Sequence, residues 1–105
     1  MTTAGARAIH ALPARVVSEA TGADRRTVER WRRGTPPRQH VYVGRLDDLA
    51  AVLEILGTLN EPAKQAWLVS RSAFLGWERP IDLISVGEFD RVRGAALAYV
   101  GGDNT

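Results

Sequence analysis

The segment Val16 to Gly34, VVSEATGADRRTVERWRRG, constrains this chain more than any other, because a glycine divides two short helical patterns and the second carries most of the arginine. The first helix is expected from about Pro13, whose fixed φ suits a helix start, through Val16, Val17 and Ala20. Gly22 then supplies a sharp turn. Asp24 restarts the chain. Its carboxylate is placed to accept the backbone N–H of Thr27 and to cap a helix whose apolar members, Val28 and Trp31, lie three apart on one side. Gly34 ends that helix, and Pro36 and Pro37 keep it from resuming. A helix, a glycine turn and an arginine-bearing helix form the layout of a helix-turn-helix, whose second helix enters the major groove of DNA.

Charge is distributed to match. From Asp24 to Arg45, seven arginines against Asp24 and Glu29 leave +5, residues 1–23 contribute +1, and residues 46–105 contribute −4 from five basic and nine acidic side chains. The overall charge of +2 conceals this asymmetry. A basic segment suits phosphate and base-edge contact, whereas the acidic remainder is repelled by the same duplex and is expected to face a different partner. The candidate DNA contacts are Arg25, Arg26, Thr27, Glu29, Arg30 and Arg33 on the second helix, with Arg38 in the following loop assigned to phosphate. A solvated arginine face is the alternative for the same run.

The pattern is helical throughout, so the expected fold class is all-α: an N-terminal helix-turn-helix followed by a small helical domain. From Leu46 to Leu59, Leu46, Leu49, Leu53 and Leu56 are spaced three and four apart, widened by Val52, Ile55 and Leu59, with Asp47, Ala51, Glu54 and Thr58 on the other face. A stripe that wide needs burial on two sides, and self-association through it is expected. Asn60 reads as the N-cap of a helix with Pro62 just inside, placing Ala63 and Trp67 on one face. Ser70 is expected to cap a further turn ending at Gly76, and Pro80 to begin a helix running to Gly87. A last helix from Glu88 to Val100 carries Phe89, Val92, Ala96 and Tyr99 as its inward stripe. Only His40 to Gly44, HVYVG, alternates like a strand. The organisation expected is residues 1–45 as the DNA-binding region, 46–59 as a connecting helix and 60–105 as a second domain.

The C-terminal half adds an ordered set of residues: Trp67-Leu68, Phe74-Leu75-Gly76, Pro80-Ile81-Asp82-Leu83-Ile84, Gly87-Glu88, Val92 and Gly101. This set resembles the toxin-binding domain of the Xre/MbcA/ParS-type antitoxins. The resemblance extends back through Val28, Arg30-Trp31, Gly34, Pro37, Arg45-Leu46, Leu49 and Val52 to the helix-turn-helix, covering about nine-tenths of the chain. It departs at Trp77-Glu78-Arg79, where small and basic residues are common before the proline. The resemblance implies an antitoxin of a RES-domain toxin, a class of toxin that depletes cellular NAD, with the C-terminal domain masking the toxin and the N-terminal domain repressing the operon. The implied partners are a RES-domain toxin, operator DNA and a second copy of the chain. Candidate toxin contacts are Trp77, Glu78, Arg79 and Arg91, together with Asp103, Asn104 and Thr105 at the C-terminal end. Residues 101–105 have no apolar anchor and are expected to be mobile, and their acidic end could enter a cationic NAD pocket as an anionic plug.

Trp31, Trp67 and Phe89 sit on apolar stripes and are expected in the core, whereas Trp77 lies off any stripe and suits an interface. No cofactor is expected. His10 and His40 are thirty residues apart without a further ligand at metal spacing, and Ser18, Ser70, Ser72 and Ser85 lack a nucleophile-elbow context, so neither metal site nor catalytic set is assigned. With no cysteine, hydrophobic burial must hold the fold, and the absence of a long apolar run or export-signal core gives a cytoplasmic expectation. The competing function is a plain helix-turn-helix regulator whose C-terminal half only dimerises.

Overall fold

The computed structural model describes residues 2–102. Among these residues the chain forms α1 (Thr3–Ala11), α2 (Ala14–Thr21), α3 (Arg25–Arg32), α4 (His40–Ile55), α5 (Glu61–Val69), a 3₁₀ turn (Ala73–Leu75), α6 (Pro80–Ser85) and α7 (Phe89–Gly101). The protein is all-α, as the periodicity predicts. A lone backbone bridge between Ser72 and Glu78 is the only strand-like pairing in the described residues.

Helix α1 precedes the first helix expected from the sequence. Thr2 caps this helix by accepting the Gly5 N–H at 2.9 Å, and Gly5, Ala8 and Ile9 turn inward onto α4. Small side chains let the two helices approach closely, but they leave little periodic signal. After Leu12 and Pro13 comes α2, which buries Val16, Val17 and Ala20 and ends where Gly22 takes a left-handed φ of 82°. A side chain there would be strained, so the turn favours glycine.

Helix α4 begins at His40, six residues before the expected start, and the strand-like alternation of His40 to Gly44 is helical. Tertiary packing overrides β-propensity here: Tyr42 meets Trp31 edge-on with ring centroids 5.4 Å apart, in phase with Leu46 and Leu49 further along. Leu46, Leu49, Val52 and Leu56 are fully enclosed, because α1, α2, α6 and α7 all pack around α4. The wide stripe expected to call for a second copy is thus largely satisfied within one chain. Leu53, Ile55 and Leu59 remain partly buried against the core.

Asn60 caps α5 as expected, accepting the Ala63 N–H at 2.9 Å, with Pro62 in the first turn. Ser70 differs from expectation. It closes α5 instead of opening the next turn, because its hydroxyl donates back to the Ala66 carbonyl at 2.6 Å. The 3₁₀ turn starts from Ser72, whose carbonyl accepts the Leu75 N–H. Helix α6 buries Ile81, Leu83 and Ile84 and packs on α2, and α7 buries Val92, Ala95 and Ala96. Tyr99 is half exposed, not inward, because it lies past the enclosed part of α7, where its aromatic neighbour is Trp67 at 6.2 Å. Trp31 is buried as expected, while Trp67 and Phe89 pack against the core from its edge.

Candidate functional site

The α2–α3 region is built on the predicted cap. Asp24 accepts the Thr27 N–H at 2.7 Å, and that bond, reinforced by the Thr27 hydroxyl, holds its carboxyl below the usual carboxylate range. Val28 and Trp31 anchor the inner face of α3. Arg26, Arg30 and Arg33 are spaced four and three apart and share an exposed face, with Arg25 exposed beside them. Thr27 and Glu29 are half-buried at its border, and Arg30 donates to the Thr27 hydroxyl at 3.3 Å. Arg38 lines an open depression with Arg30, Thr35, Gln39 and Tyr42, so the loop arginine stands beside the helix arginines.

Two arginines of the basic segment serve the fold. Arg32 donates to the carbonyls of Ile9 at 3.2 Å and Leu12 at 2.8 Å, where α1 leaves backbone acceptors unpaired. Arg45 reaches the Ser85 carbonyl at 3.4 Å and lies 3.1 Å from where a Cβ would stand at Gly87, whose φ is 85°. Any side chain at Gly87 would meet both a left-handed backbone and this guanidinium. The same guanidinium opposes the effect of burial on Asp48, whose carboxyl is pushed up.

A second candidate region is the loop from Ser70 to Arg79. Ser72 donates to the Glu78 carbonyl at 3.1 Å, Trp77 to the Ser72 carbonyl at 2.8 Å, and the Arg71 guanidinium to the Trp77 carbonyl at 3.0 Å. Leu75 is buried and holds the loop to the core. Gly76 and Trp77 are both left-handed, and φ of 67° at Trp77 is a genuine outlier for so bulky a residue. Trp77 is nevertheless 65 % exposed. A strained backbone presenting a large aromatic to solvent points to a use outside the fold.

The predicted contacts of this half divide. Glu78 and Arg91 come together, with Trp77 next to Glu78 in the chain: Arg91 lies 3.8 Å from Glu78 and 3.9 Å from Glu88, and its other nitrogen is 3.5 Å from the Leu75 carbonyl. Arg79 turns instead toward α2, bonding Asp82 at 2.8 and 2.9 Å and Glu19 at 2.8 Å. These bonds hold the Asp82 carboxyl below its ordinary value and the Arg79 guanidinium firmly charged. Glu19 went unrecognised because it is sixty residues from Arg79, with no local pattern joining them. Asp103, Asn104 and Thr105 lie outside the described residues.

No helix in the described residues is long and apolar enough to cross a membrane. No family model matches the chain, and no solved structure does. The chain is 31 % identical over 78 residues to a protein of Mycobacterium tuberculosis named as a probable mycobacterial cidal antitoxin. The matched stretch covers 73 % of this chain and 66 % of that relative, just under two thirds of its length. This similarity supports an antitoxin family.

Proposed function

We propose that the chain is the antitoxin of a toxin–antitoxin pair, neutralising a RES-domain toxin and repressing its own operon as a dimer on operator DNA. The division of labour proposed is residues 1–45 for DNA, 60–105 for the toxin, and 46–59 between them. The similarity to a named antitoxin supports the general role, and the Xre/MbcA/ParS-like residues of the C-terminal half favour a RES-domain partner. The observation that carries the reading is the presence, on one small core, of an exposed arginine face on α3 and an exposed tryptophan held at positive φ on a loop.

Each surface has its own mechanism. Arg25, Arg26 and Arg30, on the first turns of α3, reach base edges, while Arg33 and Arg38 neutralise phosphates. Thr27 and Glu29 border the same face. Trp77 inserts into the toxin, flanked by Glu78 and Arg91, while Arg79 supports the loop from behind. Asp103 adds a carboxylate suited to a cationic NAD site. The protein itself carries no chemistry in this scheme.

The test is co-production with the RES-domain toxin of the same operon. A stable complex that lowers NAD consumption, together with binding to upstream DNA that falls steeply with salt, is the expected result. A soluble toxin that stays fully active and uncomplexed beside folded antitoxin overturns the proposal.

A further inference from the structure

Helix α5, the 3₁₀ turn and α7 enclose an open groove of about 470 Å³, lined by Ala63, Trp67, Arg71, Phe74 and Tyr99 among others. Its volume lies in the range of sites that accept a side chain or a small ligand. Phe74 is 52 % and Tyr99 51 % exposed, and the partly buried Trp67 lines the groove with them, its ring 6.2 Å from that of Tyr99. Exposed aromatics clustered around a concavity are uncommon on a small protein surface and mark contact sites. The groove is continuous with the strained loop, since Arg71 lines it and also donates to the Trp77 carbonyl.

Charge identifies the occupant. Among the described residues Arg71 is the only charged one lining the groove, and no carboxylate lies within ion-pair distance of it, Asp82 feeling its charge from further away. An apolar lining beside an unpaired guanidinium fits a polypeptide segment that offers an aliphatic or aromatic side chain next to a carboxylate. Nucleic acid fits poorly, because residues 46–105 carry −4 overall.

We propose that this groove is a second anchoring site for the toxin, taking an apolar side chain from a toxin segment whose adjacent Asp or Glu pairs with Arg71. This rests on the antitoxin reading above and extends the toxin contact from the Trp77 loop across α5 and α7. Tryptophan and arginine anchors in such pockets account for most of the affinity of many interfaces.

The experiment measures the affinity of the co-produced RES-domain toxin for wild-type antitoxin, for the double variant Phe74→Ser with Tyr99→Ala, and for Arg71→Glu and Arg71→Lys. Helicity and melting temperature are recorded for each, and operator binding serves as a check on the other surface. The expected result is a loss of about 30-fold or more for the double variant and about 10-fold for Arg71→Glu. Arg71→Lys should recover most of that loss, and folding and DNA binding should be unchanged. If wild type binds the toxin and the folded variants bind within about threefold of it, the groove proposal is overturned while the antitoxin reading stands. If wild type forms no complex, the antitoxin reading itself fails and the groove proposal with it. Should sedimentation show a dimer that the double variant abolishes while toxin affinity is unchanged, the occupant is a second copy and the proposal is wrong.

Discussion

The α3 surface and the Trp77 loop both contain arginine, yet they use it in opposite ways. On and beside α3, Arg25, Arg26, Arg30, Arg33 and Arg38 are exposed, and in the described residues none forms an ion pair with a carboxylate. Around the loop, Arg79 is held by Asp82 and Glu19, and Arg91 lies beside Glu78 and Glu88. The first set leaves its charge available to a polyanion. The second has most of its charge balanced, with Arg71 the exception, and what it chiefly exposes is the aromatic area of Trp77 and Phe74. The two surfaces can therefore serve different partners, because one depends mainly on electrostatics and the other mainly on apolar burial.

The largest effect expected comes from stripping the first surface. Replacing Arg25, Arg26 and Arg30 together with alanine should cost about 1–3 kcal/mol per contact, hence a loss of at least about 100-fold in operator affinity. Toxin binding should not change. Retained operator binding, measured by titration at fixed salt, would remove α3 from the DNA interface. Next in size is Trp77→Ala, expected to cost about 2 kcal/mol or more of toxin affinity. That loss should be nearly independent of salt, whereas operator affinity should fall by orders of magnitude between about 50 and 200 mM. Parallel salt dependence for the two partners would erase the distinction drawn between the surfaces.

Arg38→Ala is a smaller perturbation. If Arg38 meets phosphate, all DNA sequences should weaken alike and the slope of log affinity against log salt should decrease by about one. A change confined to one sequence would move Arg38 among the base-reading residues. The mildest effect belongs to the cap. Asp24 has a depressed carboxyl in the folded chain, so its stabilisation is fully present above the ordinary value of 3.8 and is lost as pH falls through the lower folded value. Thermal melts from pH 5 downward should therefore show wild type losing more stability than Asp24→Ala, and coincident curves would mean that the cap contributes nothing.

Much of this arrangement was legible in the residues because it is local. Asp24 capping at Thr27, Gly22 and Gly34 bounding the two helices, and Asn60 capping at Ala63 each depend on a few consecutive positions. Trp77 stood out because it fell off every stripe. What escaped notice depends on distant partners or on small residues. Helix α1 packs mainly through Gly5 and Ala8, with Ile9 its one large buried side chain, so its periodicity is faint. The start of α4 was obscured by valines that favour strands in isolation, and only Trp31 against Tyr42 explains why they are helical. Tyr99 continued a correct helical phase beyond the point where the core encloses it. The α5–α7 groove joins residues from 63 to 99, a juxtaposition that no spacing rule encodes.

Arg32 has one further consequence. Its guanidinium is bonded to the last carbonyls around α1, so the N-terminal helix helps fix the angle at which α3 is presented. An error of orientation affects discrimination between base pairs more than attraction to the backbone, because phosphate contacts tolerate displacement that bidentate base contacts do not. Arg32→Lys keeps the charge on a side chain one atom shorter, whose ammonium falls short of the two carbonyls that a single guanidinium nitrogen bonds. Selection from random DNA should then return a broader set of sites, at little cost in binding to mixed-sequence duplex, and an unchanged set would show that α1 has no part in aiming the helix. The fidelity with which the protein chooses its site would thus be set partly by a helix that carries none of the residues assigned to DNA.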